Sequence, residues 1–337
     1  MRHCLALLQQ VVLNMKKNRH FFASAFTGRG YLSFWTDHFQ ELKRLYLLQG
    51  NTPGKHSLVL RSLGLALTDR GYSVNYYHRA EDHLMVEGLT VPSLGFGVMS
   101  GNHPYAVQKF FPAHLEIVIV ELPGSAVPNN MSTIYERVLK IVKSAREVYY
   151  SGSRTSSKAV EQWDANFWIE EFKEKPSCLR HYFAGSVTGG LNLPGDFFEC
   201  CKKRYLIKGS LGSGVSVMRD ILVEALSRSY TVEAYHSIIE PSDLVVLFIP
   251  EIRLAIINGT CCYNELSLLS GDTVWYLGKG VLVPTFSGTS YENIKLKLAA
   301  AGRELDKYYK QLEKGELYLT AEEISAIISR IIRETAG

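Results

Sequence analysis

The chain repeats itself, and this repetition limits its architecture more than any other feature. His20-Phe21-Phe22-Ala23, followed by Thr27-Gly28, returns 161 residues later as His181-Tyr182-Phe183-Ala184, followed by Thr188-Gly189. Tyr46-Leu47-Leu48-Gln49-Gly50 returns as Tyr205-Leu206-Ile207-Lys208-Gly209 at a spacing of 159. Val74 to His78 reappears as Val232 to His236 at 158, and Pro92, Gly101 and Tyr105 match Pro250, Gly259 and Tyr263 at that same spacing. Blocks in one order, drifting by only three residues, read as a duplication. The 337 residues therefore divide into repeat units 1–177 and 178–337, with the boundary near Lys175-Pro176. Each unit is long enough to bury a core of its own.

Both units show the same order of elements. An apolar run rich in β-formers (Leu45 to Leu48; Tyr205 to Ile207) enters a glycine-bearing loop, and a helical pattern follows (Ser57 to Thr68; Ser216 to Ser227). A second strand ends at His78 or His236, and a third covers Leu94 to Met99 or Leu254 to Ile257. Such alternation predicts an α/β fold, two tandem units with mostly parallel sheets flanked by helices. Unit one adds a strand over Leu115 to Val120 and helices over Ser132 to Tyr149 and Ser156 to Lys173. Unit two ends in helices over Glu292 to Lys314 and Thr320 to Arg333. Thr320 and Glu323 have the spacing of a capping box, which marks the last helix start.

The glycine loops carry the chemistry. A P-loop follows a strand, opens a helix and reads G-x-x-x-x-G-K-[S/T]. Its amides surround phosphate, its lysine reaches the terminal phosphates and its hydroxyl holds magnesium. Unit two reads Gly209-Ser210-Leu211-Gly212-Ser213-Gly214-Val215-Ser216, with Val215 at the lysine position. Unit one reads Gly50-Asn51-Thr52-Pro53-Gly54-Lys55-His56-Ser57. Aligned without a gap, His56 takes the lysine position and Ser57 faces Ser216; a loop shorter by one would make Gly54-Lys55 the pair instead. The acid expected at the end of a neighbouring strand is replaced by Ser100 and Asn258. Asp82, Glu240, Asp243 and Glu251 are near in sequence, and solvated carboxylates are the expectation for them. His78 and His236, at strand C-termini, are auxiliary candidates.

These segments resemble a family of uncharacterised bacterial tandem-repeat P-loop NTPases classed as ATPases. The opening His181-Tyr182-Phe183-Ala184-Gly185-Ser186-Val187-Thr188, the strand Lys203 to Gly209, and Ile249-Pro250-Glu251-Ile252 with Ala255 to Thr260 carry the resemblance. It implies a P-loop fold and ATP or another NTP with magnesium as cofactor. The departures at Val215, His56, Asn258 and Ser100 remove the charged groups. Losing a charge-assisted contact costs about 1.5 to 3 kcal/mol, so weak or absent hydrolysis is expected, with no catalytic residue assigned. Two alternatives stand beside nucleotide or phosphate binding. One is a non-catalytic scaffold binding a protein partner; the other is an active ATPase in which Lys55, Lys208 or a partner's basic residue substitutes.

Weaker patterns compete. Gly209, Gly212 and Gly214 with Glu233 form a poor dinucleotide fingerprint. Cys261-Cys262 with His236 suggest a metal or redox site without any C-x-x-C support, so no metal is expected. Trp163, Phe167, Trp168 and Phe172 share a helical stripe that suits packing better than base stacking. Formal charge is +4 with scattered basic residues, which argues against nucleic acid. Six cysteines suggest no disulfide framework. No apolar run reaches the length of about 18 residues that spans a bilayer, and Met1 to Lys17 reads as a short amphipathic helix rather than a signal sequence. The cytoplasm is the expected location.

Overall fold

The computed structural model describes residues 18–50, 53–101, 111–123, 131–152, 178–183, 201–209, 212–261, 270–277, 288–313 and 319–336. The amphipathic segment 1–17, the helix over 156–173 with its aromatic stripe, and the boundary at 175–176 lie outside them. The strands are β1 (Arg19–Phe21), β2 (Ser24–Thr27), β3 (Gly30–Ser33), β4 (Arg44–Gln49), β5 (Asn75–His78), β6 (Val86–Val91), β7 (Phe96–Ser100) and β8 (Glu116–Glu121). The second half contributes β9 (Cys178–Tyr182), β10 (Lys203–Lys208), β11 (Val232–His236), β12 (Leu244–Ile249), β13 (Leu254–Asn258) and β14 (Thr273–Tyr276). The helices are α1 (Trp35–Phe39), α2 (Pro53–Thr68), α3 (Met131–Gly152), α4 (Val215–Ser227), α5 (Gly288–Glu313) and α6 (Ala321–Ala336).

The chain is α/β, with two six-stranded mixed sheets flanked by helices. Their orders are β1-β5-β6-β7-β4-β8 and β9-β11-β12-β13-β10-β14. The two sheets follow the same path, strand for strand. Tyr77 pairs with Gly88 and His78 with Val86 across a bulge; 158 residues on, Tyr235 pairs with Val246 and His236 with Leu244 across the same bulge. Gly101 N–H donates to the Leu48 carbonyl at 2.7 Å, and Gly259 N–H to the Ile207 carbonyl at 2.8 Å.

One strand in each sheet departs from the sequence expectation. β6 and β12 run antiparallel to both neighbours, so the sheets are mixed, with five strands pointing one way and one reversed. Each reversed strand is joined to the next by a tight turn, Pro92–Leu94 or Pro250–Ile252. The proline presets the first turn residue, and the turn closes on a left-handed residue, Gly95 (φ 65) or Arg253 (φ 52). Parallel neighbours need a long crossover, whereas a turn this short leaves only the antiparallel pairing.

The local reasons for the helices are ordinary. α2 buries Val59, Leu60, Leu63 and Leu67, and α4 buries Met218, Leu222, Ala225 and Leu226, each set recurring at three and four residues. The capping box opening α6 is formed: the Thr320 amide donates to Glu323 Oε2 at 2.8 Å, and the Glu323 amide to Thr320 Oγ1 at 3.2 Å.

The sheets meet edge to edge at β1 and β9. Phe22 and Tyr182 form an antiparallel bridge there, with the Tyr182 amide donating to the Phe22 carbonyl at 2.9 Å. A single apolar cluster spans the joint, containing Phe22, Phe26, Tyr135 and Val142 from one half and Tyr182, Tyr235, Val246 and Leu298 from the other. α3 and α5 pack against each other over this cluster.

Candidate functional site

In the first half β4 ends at Gln49 and α2 begins at Pro53, leaving three connecting residues. Proline suits the first helical position because it has no amide hydrogen to leave unpaired. Gly54, Lys55, His56 and Ser57 therefore lie in the first turns of the helix rather than in a loop. Residues 51–52 of this connection fall outside the described set. The Ser57 hydroxyl is buried and accepts the Val86 amide at 2.9 Å, which ties α2 to the reversed strand. Lys55 is also buried.

His56 occupies the centre of this junction. Its Nε2 lies 2.6 Å from the Gly50 carbonyl and its Nδ1 lies 2.7 Å from Ser100 Oγ. A carbonyl can only accept, so Nε2 carries the hydrogen; in the neutral ring Nδ1 then accepts from the Ser100 hydroxyl. Burial pushes the His56 pKa down to about 4, outweighing the Gly50 hydrogen bond, which favours the charged form. At neutral pH the ring brings no positive charge to the loop, and both of its polar atoms are committed to the protein.

The second half has a longer connection, 209–214, between β10 and α4; residues 210–211 fall outside the described set. Gly212 is left-handed (φ 77), a conformation that favours glycine. Thr260, two residues beyond the end of β13, reaches into this turn. Its carbonyl accepts the Gly212 amide at 2.8 Å, and its Oγ1 accepts the Gly214 amide at 2.9 Å. The Val215 amide is bonded to the Gly212 carbonyl at 3.2 Å. Three amides that a phosphate would claim thus already have partners within the chain.

Asn258 holds Thr260 in place. Its Oδ1 accepts the Thr260 amide at 3.1 Å and the Thr260 hydroxyl at 2.7 Å, while its Nδ2 donates to the Leu244 carbonyl at 3.1 Å. A Cβ on Gly214 would lie 2.5 Å from Asn258 Oδ1 and 2.8 Å from Thr260 Oγ1, so only glycine permits this approach. Ser213 is half-buried; its Oγ is buried and without a hydrogen-bond partner among the described residues. Ser216 is exposed, and Gly209 and Lys208 are half-buried at the strand end.

The structure therefore brings Ser100 to His56, and Asn258 to the second turn, but it does not bring His78 or His236 to either. β6 and β7, or β12 and β13, lie between each histidine strand and its loop strand. Three strand spacings put them about 14 Å away laterally. His78 instead lies 2.8 Å from a ring nitrogen of His20, with its ring 5.8 Å from that of Phe22 at the joint. His236 Nδ1 donates to the Pro241 carbonyl at 2.8 Å, with its ring 5.0 Å from that of Phe34 in the first half.

The expectation of solvated carboxylates fails for two residues. Glu240 is buried and bonded to Arg29 (2.7 Å) and Arg146 (2.8 Å), with the Tyr150 hydroxyl also donating to it. Asp243 is buried against the Tyr149 hydroxyl at 2.9 Å; burial, reinforced by the Glu240 charge, raises its pKa to about 6. Both sit in the turn between β11 and β12, where α3 closes over them, a packing that local sequence does not encode. Glu251 is exposed and Asp82 half-exposed.

Glu233, the ribose ligand of the dinucleotide pattern, is buried and accepts from both Nη nitrogens of the Arg19 guanidinium. Cys261 Sγ donates to the Asn258 carbonyl at 2.8 Å; Cys262 is outside the described residues. Among the described residues no cluster of three histidine, cysteine or acidic side chains could hold a metal, and no helix is long and apolar enough to cross a membrane. Sequence reasoning missed Thr260, although its position in Asn258-Gly259-Thr260, directly after the strand beside the loop, was a usable signal. Neither a family model, nor a curated protein, nor a solved structure matches this chain.

Proposed function

We propose that the chain consists of two tandem, non-catalytic units of P-loop type whose work is to bind another protein. The observation that carries the non-catalytic part of this reading is His56, and the partner-binding part rests on the surface described in the next subsection. At the position of the phosphate-gripping lysine stands a neutral ring, with its donor spent on Gly50 and its acceptor on Ser100. Transfer of a phosphoryl group depends on charge placed around it by lysine, magnesium and an ordering acid. The two strand ends that would offer the acid carry Ser100 and Asn258, and both residues are used as internal hydrogen-bond partners. The shared strand order and register of the two sheets support the tandem arrangement.

A second reading is weak binding of a nucleotide or phosphate at the second loop. The left-handed Gly212, the start of α4 at Val215 and the exposed Ser216 favour it. Such a ligand would have to displace Thr260 from two amides. Thermal-shift titration with ATP, GTP and ADP, with and without magnesium, separates the readings. A ligand at 100 times its dissociation constant adds about 2.7 kcal/mol; the non-catalytic partner-binding reading expects no shift at millimolar nucleotide. A phosphate-release assay expects background rates, and turnover lost in Lys55→Ala or Lys208→Ala would establish a substitute lysine instead.

A further inference from the structure

The helices α3 and α5, one from each half, run antiparallel, since Lys297 Nζ bonds Ser144 Oγ at 2.9 Å and Arg137 meets Glu304 at 3.4 Å. Between them lies a groove of about 460 Å³ lined by Arg137, Lys140, Ile141, Ala300, Arg303, Glu304 and Lys307. The four cations are exposed and the one carboxylate is half-buried. Glu304 pairs with Arg137 and, at 3.0 Å, with Lys307. Lys140 and Arg303 have no ion-pair partner among the described residues. Among the residues lining the groove, four positive charges stand against one negative.

The groove has a shape as well as a charge. Its floor is apolar, Ile141 and Ala300, and its cations are spaced as helical neighbours, Arg137 with Lys140 and Arg303 with Lys307. Carboxylates three or four residues apart on a third helix lie about 5 to 6 Å from one another and match that spacing. A third helix would rest on the pair at the usual interaxial distance of about 8 to 10 Å. A nucleic acid needs a long basic track, and here Glu136 and Asp306 interrupt it on both helices.

We infer that this groove is the partner-binding surface and that it takes an acidic amphipathic helix of another protein. The helix would set its apolar side on Ile141 and Ala300 and its carboxylates toward Arg137, Lys140, Arg303 and Lys307. Charges at such a rim steer association and weaken with salt, while the apolar floor supplies the contact area. The inference deepens the partner-binding reading above, and it is tested separately from the loops.

The experiment is fluorescence anisotropy of a labelled helical peptide carrying glutamates at i and i+4 on one face and leucines on the other, titrated with the full chain. Saturable binding is expected, weakened at least tenfold by the double substitution Lys140→Glu with Arg303→Glu. Both residues are on the surface, and an unchanged melting curve confirms that the fold is kept. A glutamine-for-glutamate peptide binding equally, an unaffected double variant, or tighter binding of single-stranded DNA of equal charge would each overturn the inference. Nucleotide turnover with retained peptide binding would sink the non-catalytic reading and leave the groove standing. Silent loops with no peptide binding would sink the groove alone.

Discussion

Arg19, on the inner edge strand of the first sheet, grips buried Glu233 of the second through two hydrogen bonds of 2.6 and 2.7 Å. A reciprocal pair runs the other way, from Arg180 on β9 to Asp37 at 2.6 and 2.8 Å. Arg19 and Arg180 occupy corresponding edge strands, so each half lends an arginine to the other across the joint. Breaking a buried pair by removing one partner typically costs about 3 to 5 kcal/mol, because it strands a charge. Arg19 is one-third exposed, so Arg19→Ala is expected to cost about 3 kcal/mol, read from the urea midpoint. Adding Glu233→Gln to that variant should recover part of the loss. A double variant no better than the single one would contradict this account.

Acid should destabilise the fold early. Burial lowers the pKa of His38, His56, His78 and His236 to about 4, and that of His181 well below the usual value. Their folded values lie below the unfolded value of 6.5, so between pH 6.5 and 4 the unfolded chain binds more protons and stability falls as pH drops. Each histidine contributes a slope of about 1.4 kcal/mol per pH unit inside its window. Asp243 opposes them: its folded pKa of about 6 exceeds the unfolded 3.8, so it favours the folded state as pH falls between those values. The net expectation is a steep loss beginning near pH 6.5. Equal urea midpoints at pH 7.5 and pH 5 would show that these rings are not buried and neutral.

The two loop residues should matter for stability and not for chemistry. His56→Ala leaves the Gly50 carbonyl and the Ser100 hydroxyl without their shared partner and opens a cavity, a change expected to cost about 2 to 4 kcal/mol. Thr260→Val keeps the shape but strands the Gly214 amide, for about 1 to 2 kcal/mol. Phosphate release is expected to stay at background in both. A change in turnover in either variant would move the assignment back toward an enzyme.

The turns after β6 and β12 supply a backbone test with an internal control. Gly95 is left-handed, and an added Cβ would meet only Lys43 side-chain carbons at 3.6 Å or more, an ordinary contact. Gly95→Ala should therefore cost only the backbone strain, about 1 kcal/mol. Arg253 already bears that strain at the matching turn. A neutral Gly95→Ala in thermal melts would mean that the turn relaxes out of the left-handed region.

Much of the framework was legible from residue order. The repeated blocks located β4, β5 and β7 and their counterparts, and Thr320 with Glu323 marked the last helix. The reversed strands were not legible. All six residues of β6 and of β12 are buried. β12 is an unbroken apolar run of the kind parallel strands show, and β6 buries Glu87 and Thr90 within it, so neither shows the alternation that commonly marks an antiparallel strand. The glycines announced a loop, but its contents depend on the adjacent strand: Thr260 closes the second turn only because β13 lies beside β10. For the same reason Glu240 and Asp243 looked solvent-facing until α3 was placed over them.

The cluster that runs through Phe22, Tyr182 and Tyr235 has a consequence for how this molecule comes apart. Neither half owns a complete interior on that side, so pulling them apart would wet aromatic rings and strand paired charges at once. Melting should then appear in calorimetry as one event, and either half expressed without its sibling should be sticky and poorly structured.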